Sequence, residues 1–389
     1  MESEYDALLK PTIAYADADV RARALKTVEE TIRPAMAALA EQLRGELLPK
    51  ARQDDQVGIS NIPGGAEGYI DAVARHTTTL LTPEQIHQIG LDTLEELRPR
   101  WSEVGKRAIG ESDFEVIAER MRSDLSLRFQ SSDEIVAVAE NALNRAESVR
   151  NQYFPPYVIP DCVIEQINPI DAENTALAYY RPPAVDGSRP GAHCLLASDP
   201  QSRFKFEYEC LAFHESVPGH HLQLATAQTL DIPKYRRYLD AEACSFNEGW
   251  GLYSEQFAEE IGLYSSDVDL LGMLSFSALR ACRLVVDTGI HYLGWSREKA
   301  IDFMWRNTAT TQSHVRNEVD RYIAWPGQAL SYVIGKREIL RLREGARSEL
   351  GERFSIADFH GAVLENGAVP LTVLRQQIYR WQASVLDAN

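Results

Sequence analysis

The segment FKFEYECLAFHESVPGHHLQLATAQ, residues 204–228, reads as an apolar helical run with Pro218 and Gly219 in its middle. His214 and Glu215 precede the pair, and His220 and His221 follow it. The zinc-protease motif H-E-x-x-H sets its two ligands four residues apart on one helical face, and this spacing is longer. On an unbroken helix at 100° per residue, His220 lies about 120° round from His214, too far to share an ion. Proline cannot donate to the carbonyl of His214 and glycine tolerates unusual dihedrals. The helix is therefore expected to bulge here, absorb two extra residues and carry His220 into the position of the second ligand. His221 competes for that position: it needs less rotation, but it lies about 10 Å further along an ideal axis than His214.

A catalytic zinc site takes three protein ligands and keeps a position open for water. The segment DAEACSFNEGWGLYSEQFAEE, residues 240–260, places Glu248 on a second helix, flanked by Trp250 and Tyr253. His214, His220 and Glu248 reproduce the His₂Glu set of thermolysin-type hydrolases and predict one bound Zn²⁺. Glu215, adjacent to the first ligand, is expected to activate the metal-bound water as general base. A lone His-Glu pair is commonly a solvated or salt-bridged pair. The combination with Pro-Gly, His-His and a downstream Glu-Gly-Trp argues for a site.

The 389 residues carry 40 basic and 57 acidic side chains, a net charge of −17. That balance repels a phosphate backbone and an anionic membrane surface, so neither nucleic acid nor membrane is an expected partner. It favours cationic or neutral substrates. The five cysteines, Cys162, Cys194, Cys210, Cys244 and Cys282, form no CxxC pair and are expected to be reduced thiols of the cytoplasm. The start MESEYDALLKP has neither the basic nor the apolar region of a leader, and no apolar run reaches the ~18 residues a membrane span needs.

Residues 14–150 show successive amphipathic helical patterns. One of them starts with Thr82 as N-cap, Pro83 in the first turn and Gln85 three residues after the cap. Residues 51–68 predict a long loop before a helix over Tyr69 to Leu80. Between 156 and 198 the period changes, and YVIPDCVIEQI, TALAYYRPP and GAHCLLAS predict a sheet of about three strands. Helical periodicity then runs to the C-terminus, broken at Pro326-Gly327 and at Gly367 to Pro370. The expected fold is mainly α: a multi-helix zincin-like unit with a small sheet beside the metal-binding helix. Residues 1–150 form its N-terminal helical layer and 151–389 its zinc-binding region, within one compact unit.

The run His214-Glu215-x-x-Pro218-Gly219-His220-His221-x-Gln223 and the triplet Glu248-Gly249-Trp250 resemble the bacterial DUF885 family, which is itself similar to zinc peptidases of the gluzincin type. The resemblance extends to TTTLLTPEQIHQIGL, DGSRPG, RYIAWPGQALSYVIGK, FHGAVLENG and a late PL-x-x-L, over roughly residues 65 to 385. Gly251 stands where the family usually has Ala, and the N-terminal helical region is shorter than in typical members. The resemblance implies amide hydrolysis, with Tyr332 donating to the tetrahedral oxyanion. It implies further that 191–198 forms an edge strand aligning an extended peptide. Both segments can equally be packing elements.

Arg280, Arg283, Arg321 and Tyr322, with His221, are candidates for substrate binding, a guanidinium gripping a C-terminal carboxylate in an exopeptidase. Such arginines are more often paired structurally. His314 and His360 are expected to be structural, and Trp250, Trp295, Trp305 and Trp325 to be core. The function expected is zinc-dependent cleavage of an amide bond in a short peptide or peptide-like metabolite. Two alternatives stay open: a metal-dependent lyase, cyclase or oxidative enzyme of specialised metabolism, and a non-catalytic helical binding protein. Self-association is open as well.

Overall fold

The structure is a computed structural model that describes residues 17–168, 175–238 and 243–388. The start MESEYDALLKP and Asp240 to Glu242 lie outside the described residues. Helix positions follow from apolar spacing and from local stop signals. A helix over Gly65–Thr77 (α1) is followed by a longer one over Pro83–Ile109 (α2). The second opens on the expected capping box, Thr82 accepting from the Gln85 backbone while Gln85 reaches back. α1 starts earlier than expected from the sequence, because Gly64 adopts φ +73° and Gly65 passes so close to Ile59 that a Cβ there would sit 1.8 Å from its carbonyl oxygen.

Three short strands follow the helix Ser132–Tyr153 (α3): Cys162–Gln166 (β1), Ala178–Arg181 (β2) and Gly191–Leu195 (β3). Their order is β1-β3-β2, with β1 and β3 parallel and β2 and β3 antiparallel. The segment 191–198 is therefore not the expected edge strand. It is the central one, buried from Gly191 to Ala197, and β2 is the edge that faces the cavity described below.

The helices that carry the candidate site are Lys205–Glu215 (α4), His220–Thr229 (α5), Cys244–Glu260 (α6), Asp267–His291 (α7), Gln312–Ala324 (α8) and Ser331–Leu350 (α9). α7 is buried continuously from Leu271 to His291 and packs along α2, where Gly90 lets the backbones approach: a Cβ there would lie 2.8 Å from that of Leu284. One apolar cluster joins Tyr69, Val73 and Ile86 to Trp250, Leu330 and Phe359. The N-terminal helices and the later region thus share a core. A helical arm before α1, including Ala18–Thr27 and Arg33–Gln42, leaves Met36, Leu39, Leu43 and Leu47 exposed. No described helix is long and apolar enough to cross a membrane.

Candidate metal centre and its cavity

The Pro-Gly pair does more than bulge the helix; it ends one and starts another. α4 stops at Glu215, Ser216 and Gly219 leave the helical region with ψ −119° and −133°, and α5 begins at His220. The Val217–Pro218 bond is cis. Gly219 is required by close approach, since a Cβ there would sit 1.9 Å from the carbonyl oxygen of His214. α6 secures the turn: Trp250 Nε1 donates to the Pro218 carbonyl at 2.9 Å, and Ser254 donates to the same oxygen at 3.2 Å. The helix that carries Glu248 is thus tied to the break that brings the two histidines together.

His214, His220 and Glu248 each point one ligand atom into a common space, all within 4.8 Å of one another. Glu248 Oε2 lies 3.5 Å from His214 Nε2 and 3.6 Å from His220 Nε2. Donors held at 2.0–2.1 Å by a tetrahedral Zn²⁺ stand about 3.4 Å apart, close to the two carboxylate–imidazole separations. Both remaining ring nitrogens have acceptors. His214 Nδ1 donates to Glu255 Oε1 at 2.7 Å, a carboxylate that can only accept, and Glu255 also receives Arg280 Nη2 at 3.3 Å. His220 Nδ1 donates to Gln223 Oε1 at 3.3 Å, the amide nitrogen of Gln223 being committed to Asn247. Each anchored Nδ1–H leaves its Nε2 lone pair for a cation.

The electrostatics agree with this donor set. Burial opposes charge on His214, yet the carboxylates of Glu248 and Glu255 raise its pKa to about 10. His220, also buried, is raised chiefly by Glu248. Glu248 resists its own burial and is held far below the usual carboxylate range by the two imidazoles. A divalent ion bound there would have to displace these protons.

The cluster opens into a cavity of about 1130 Å³. Glu215 and Tyr332 both line it. The Tyr332 hydroxyl is raised to about 12, by burial first and then by the nearby Glu248 carboxylate. Arg280, Arg283 and Arg321 line the cavity too, and each is ion-paired: Arg280 with Glu255, the other two with Glu318. Two expected site residues face elsewhere. His221 is buried against the sheet, its Nδ1 2.9 Å from the Tyr180 hydroxyl, because the restart of α5 turns it away from His214. Tyr322 is buried behind the arginines, donating to Glu318 at 2.5 Å and accepting from Arg283 Nε at 3.0 Å.

Other single residues also differ from their sequence reading. His314 lines the cavity, its Nδ1 2.8 Å from Thr310 Oγ1. Trp325 is 54% exposed and lines the cavity instead of the core, whereas Trp250 is fully buried. His360 is structural, bonded to the Tyr253 hydroxyl at 2.7 Å and to the Tyr153 carbonyl. None of the five cysteines, all among the described residues, forms a disulfide. Sequence reasoning missed Glu255 and Asn247. The signal for Glu255 was its spacing, seven residues from Glu248, which repeats a helical face.

Fold and site together define a mainly α-helical protein with a small mixed sheet and a buried cluster bearing the donor set of a metal centre. The chain belongs to the DUF885 family, described as bacterial proteins of unknown function, which it matches over residues 2–378. A crystal structure of a candidate lipoprotein from Colwellia psychrerythraea is similar over 94% of this chain, with 33% identity and a TM-score of 0.88. The chain spans 63% of that protein's length. A second candidate lipoprotein, of unknown function, from Shewanella oneidensis shares the fold over 96% of this chain and 70% of its own, with 19% identity and a TM-score of 0.70. A stretch of 60 residues, 15% of the chain, is 47% identical to an uncharacterized protein in the mutB 3' region of Streptomyces virginiae and covers 63% of that protein.

Proposed function

We propose that the protein is a zinc-dependent hydrolase that cleaves an amide bond in a short peptide or peptide-like metabolite, with a site of gluzincin-like logic. The observation that carries this reading is the convergence of His214, His220 and Glu248 on one space, with Glu248 near both imidazoles and both imidazoles oriented from behind.

Zinc, held by these three residues, supplies Lewis acidity that polarises a carbonyl and makes a water more acidic. The chain supplies the rest. Glu215, at the last turn of α4, accepts a proton from the attacking water and delivers it to the departing amine. Water oxygen joins the carbonyl carbon, the C–N bond breaks, and products are an acid and an amine, so no other reactant is consumed. The Tyr332 hydroxyl, close to Glu248, donates to the oxygen that gains charge.

An intracellular setting is proposed on five cysteines that form no disulfide. The test of the function is incubation of zinc-loaded protein with a mixed peptide library, read by mass spectrometry. New termini that form with the wild-type chain and not with Glu215→Gln support the reading; an unchanged library overturns it.

A further inference from the structure

The helical arm before α1 carries a pattern that the candidate site does not use. Leu25, Val28, Ile32, Met36, Leu39, Leu43 and Leu47 follow one another at steps of three, four and four residues, twice over, an 11-residue repeat. Such a stripe stays on one face only where the helix runs at about 3.67 residues per turn, slightly wider than an α-helix. The backbone supplies the difference. Beside the α-helical stretches Ala18–Thr27 and Arg33–Gln42, the segments Val28–Ile32 and Leu43–Leu47 are π-helical. Pro34, which cannot donate to the carbonyl of Glu30, follows the first of them. The arm is thus one helical rod with an apolar seam along it. Leu25 is half-buried and Val28 buried, whereas Ile32, Met36, Leu39, Leu43 and Leu47 are exposed. No described element of the body packs along the arm.

A seam of this kind is half of a helix-to-helix contact, and a helix that holds it in water is marginal alone. We propose that its occupant is a second copy of the chain, the two arms running antiparallel about a two-fold axis between Met36 and Ala37. Charge selects the copy. The chain carries −17, so two copies repel over most of their surface, but residues 17–50 hold six basic and six acidic side chains. The arm is where two copies can meet without that repulsion. The same balance argues against a bilayer, because a helix lying on an anionic membrane carries a polar face rich in Lys and Arg. Charge also selects the direction. Glu29 and Arg44 each follow a seam residue, Val28 and Leu43, and so lie on one flank of the seam. Antiparallel pairing about the stated axis sets Glu29 of one copy opposite Arg44 of the other, twice by symmetry. Arg44 has no ion pair among the described residues of its own chain, while Glu29 is held at 2.8 Å by the exposed Arg33. The register interleaves the seams as well: Ile32 falls between Leu43 and Leu39 of the other arm, Met36 between Leu39 and Met36, and Leu39 between Met36 and Ile32.

The test is sedimentation of the full chain over a concentration series, beside a variant carrying both Leu39→Glu and Leu43→Glu. Both leucines are exposed on the single chain, so the variant should keep its fold, as checked by circular dichroism. Wild type should dimerise, and the variant should raise the dissociation constant at least ~100-fold, since each leucine enters a symmetric contact twice. Glu29→Arg and Arg44→Glu should each weaken the dimer by about 3–10-fold, and the two together should restore it. A wild-type chain that stays monomeric throughout the series, a dimer that the leucine variant leaves intact, or a charge exchange that restores nothing overturns the proposal. So does a monomeric chain that co-sediments through the same two leucines with phosphatidylcholine–phosphatidylserine vesicles, which would assign the seam to a membrane surface.

Discussion

Glu255 stands 2.7 Å from Nδ1 of His214, seven residues beyond Glu248 on the same helix, while Glu248 itself faces Nε2 of that ring at 3.5 Å. One helix therefore supplies both the candidate ligand and the carboxylate that fixes the imidazole it sits beside. Glu255→Gln should lower zinc affinity about 10–100-fold, as loss of such an orienting carboxylate typically does. Chelator competition measures this; unchanged affinity would mean that Glu255 serves only Arg280.

Glu215→Gln keeps shape and removes the base. It should retain zinc and lose kcat by at least ~10²-fold. Comparable turnover in the variant would assign water activation to another group.

The parts of this arrangement that were legible in the sequence are the local ones. The capping box at Thr82, the three strands and the His-Glu-Pro-Gly-His-His run are each specified within a few residues, and each occurs where its pattern places it. What the sequence hid depends on elements meeting. Whether residues 191–195 form an edge or a centre is decided by strand order, which their own alternation does not encode. The break after Glu215 is held by Trp250 and Ser254 from another helix, so a bulge and a break look alike in the run itself. The charge of −17 averages over the whole chain and does not report the cavity lining, where four arginines stand beside Glu207, Glu215, Glu248, Glu318 and Asp320.

Tyr332→Phe tests the oxyanion donor. If the hydroxyl acts only as charge develops, kcat and kcat/KM should fall together with KM nearly fixed, by about 2–4 kcal/mol. Phe keeps the ring beside Arg283, so the melting temperature should barely move. An unchanged kcat would return Tyr332 to a packing role.

The crossing of α6 and α9 should be intolerant of bulk. A Cβ on Gly335 would lie 1.8 Å from the Ser245 carbonyl oxygen and 2.7 Å from the Cα of Gly249. Gly335→Ala should therefore destabilise the fold by about 1–3 kcal/mol in denaturant unfolding, the usual range for overpacking. Wild-type stability in this variant would show that the helices separate without cost.

Glu207 is buried in the cavity wall, and burial raises its pKa to about 7 against the pull of Arg128 and Arg203. The folded chain therefore holds this proton more tightly than the unfolded one, whose value is 4.5. The group's contribution is fully present below that value and is lost as pH rises to about 7. Glu207→Gln should accordingly melt above wild type at pH 8 and lose that advantage near pH 4. An identical difference at both pH values would contradict the assignment.

The central claim is that His214, His220 and Glu248 bind one metal ion. Elemental analysis of purified protein, beside His214→Ala and Glu248→Ala variants verified as folded, tests it most directly. The account predicts about one zinc per wild-type chain and none retained by either variant through dialysis. Full zinc occupancy in both variants, or a wild-type chain that takes up no zinc when supplied with it, would contradict the account.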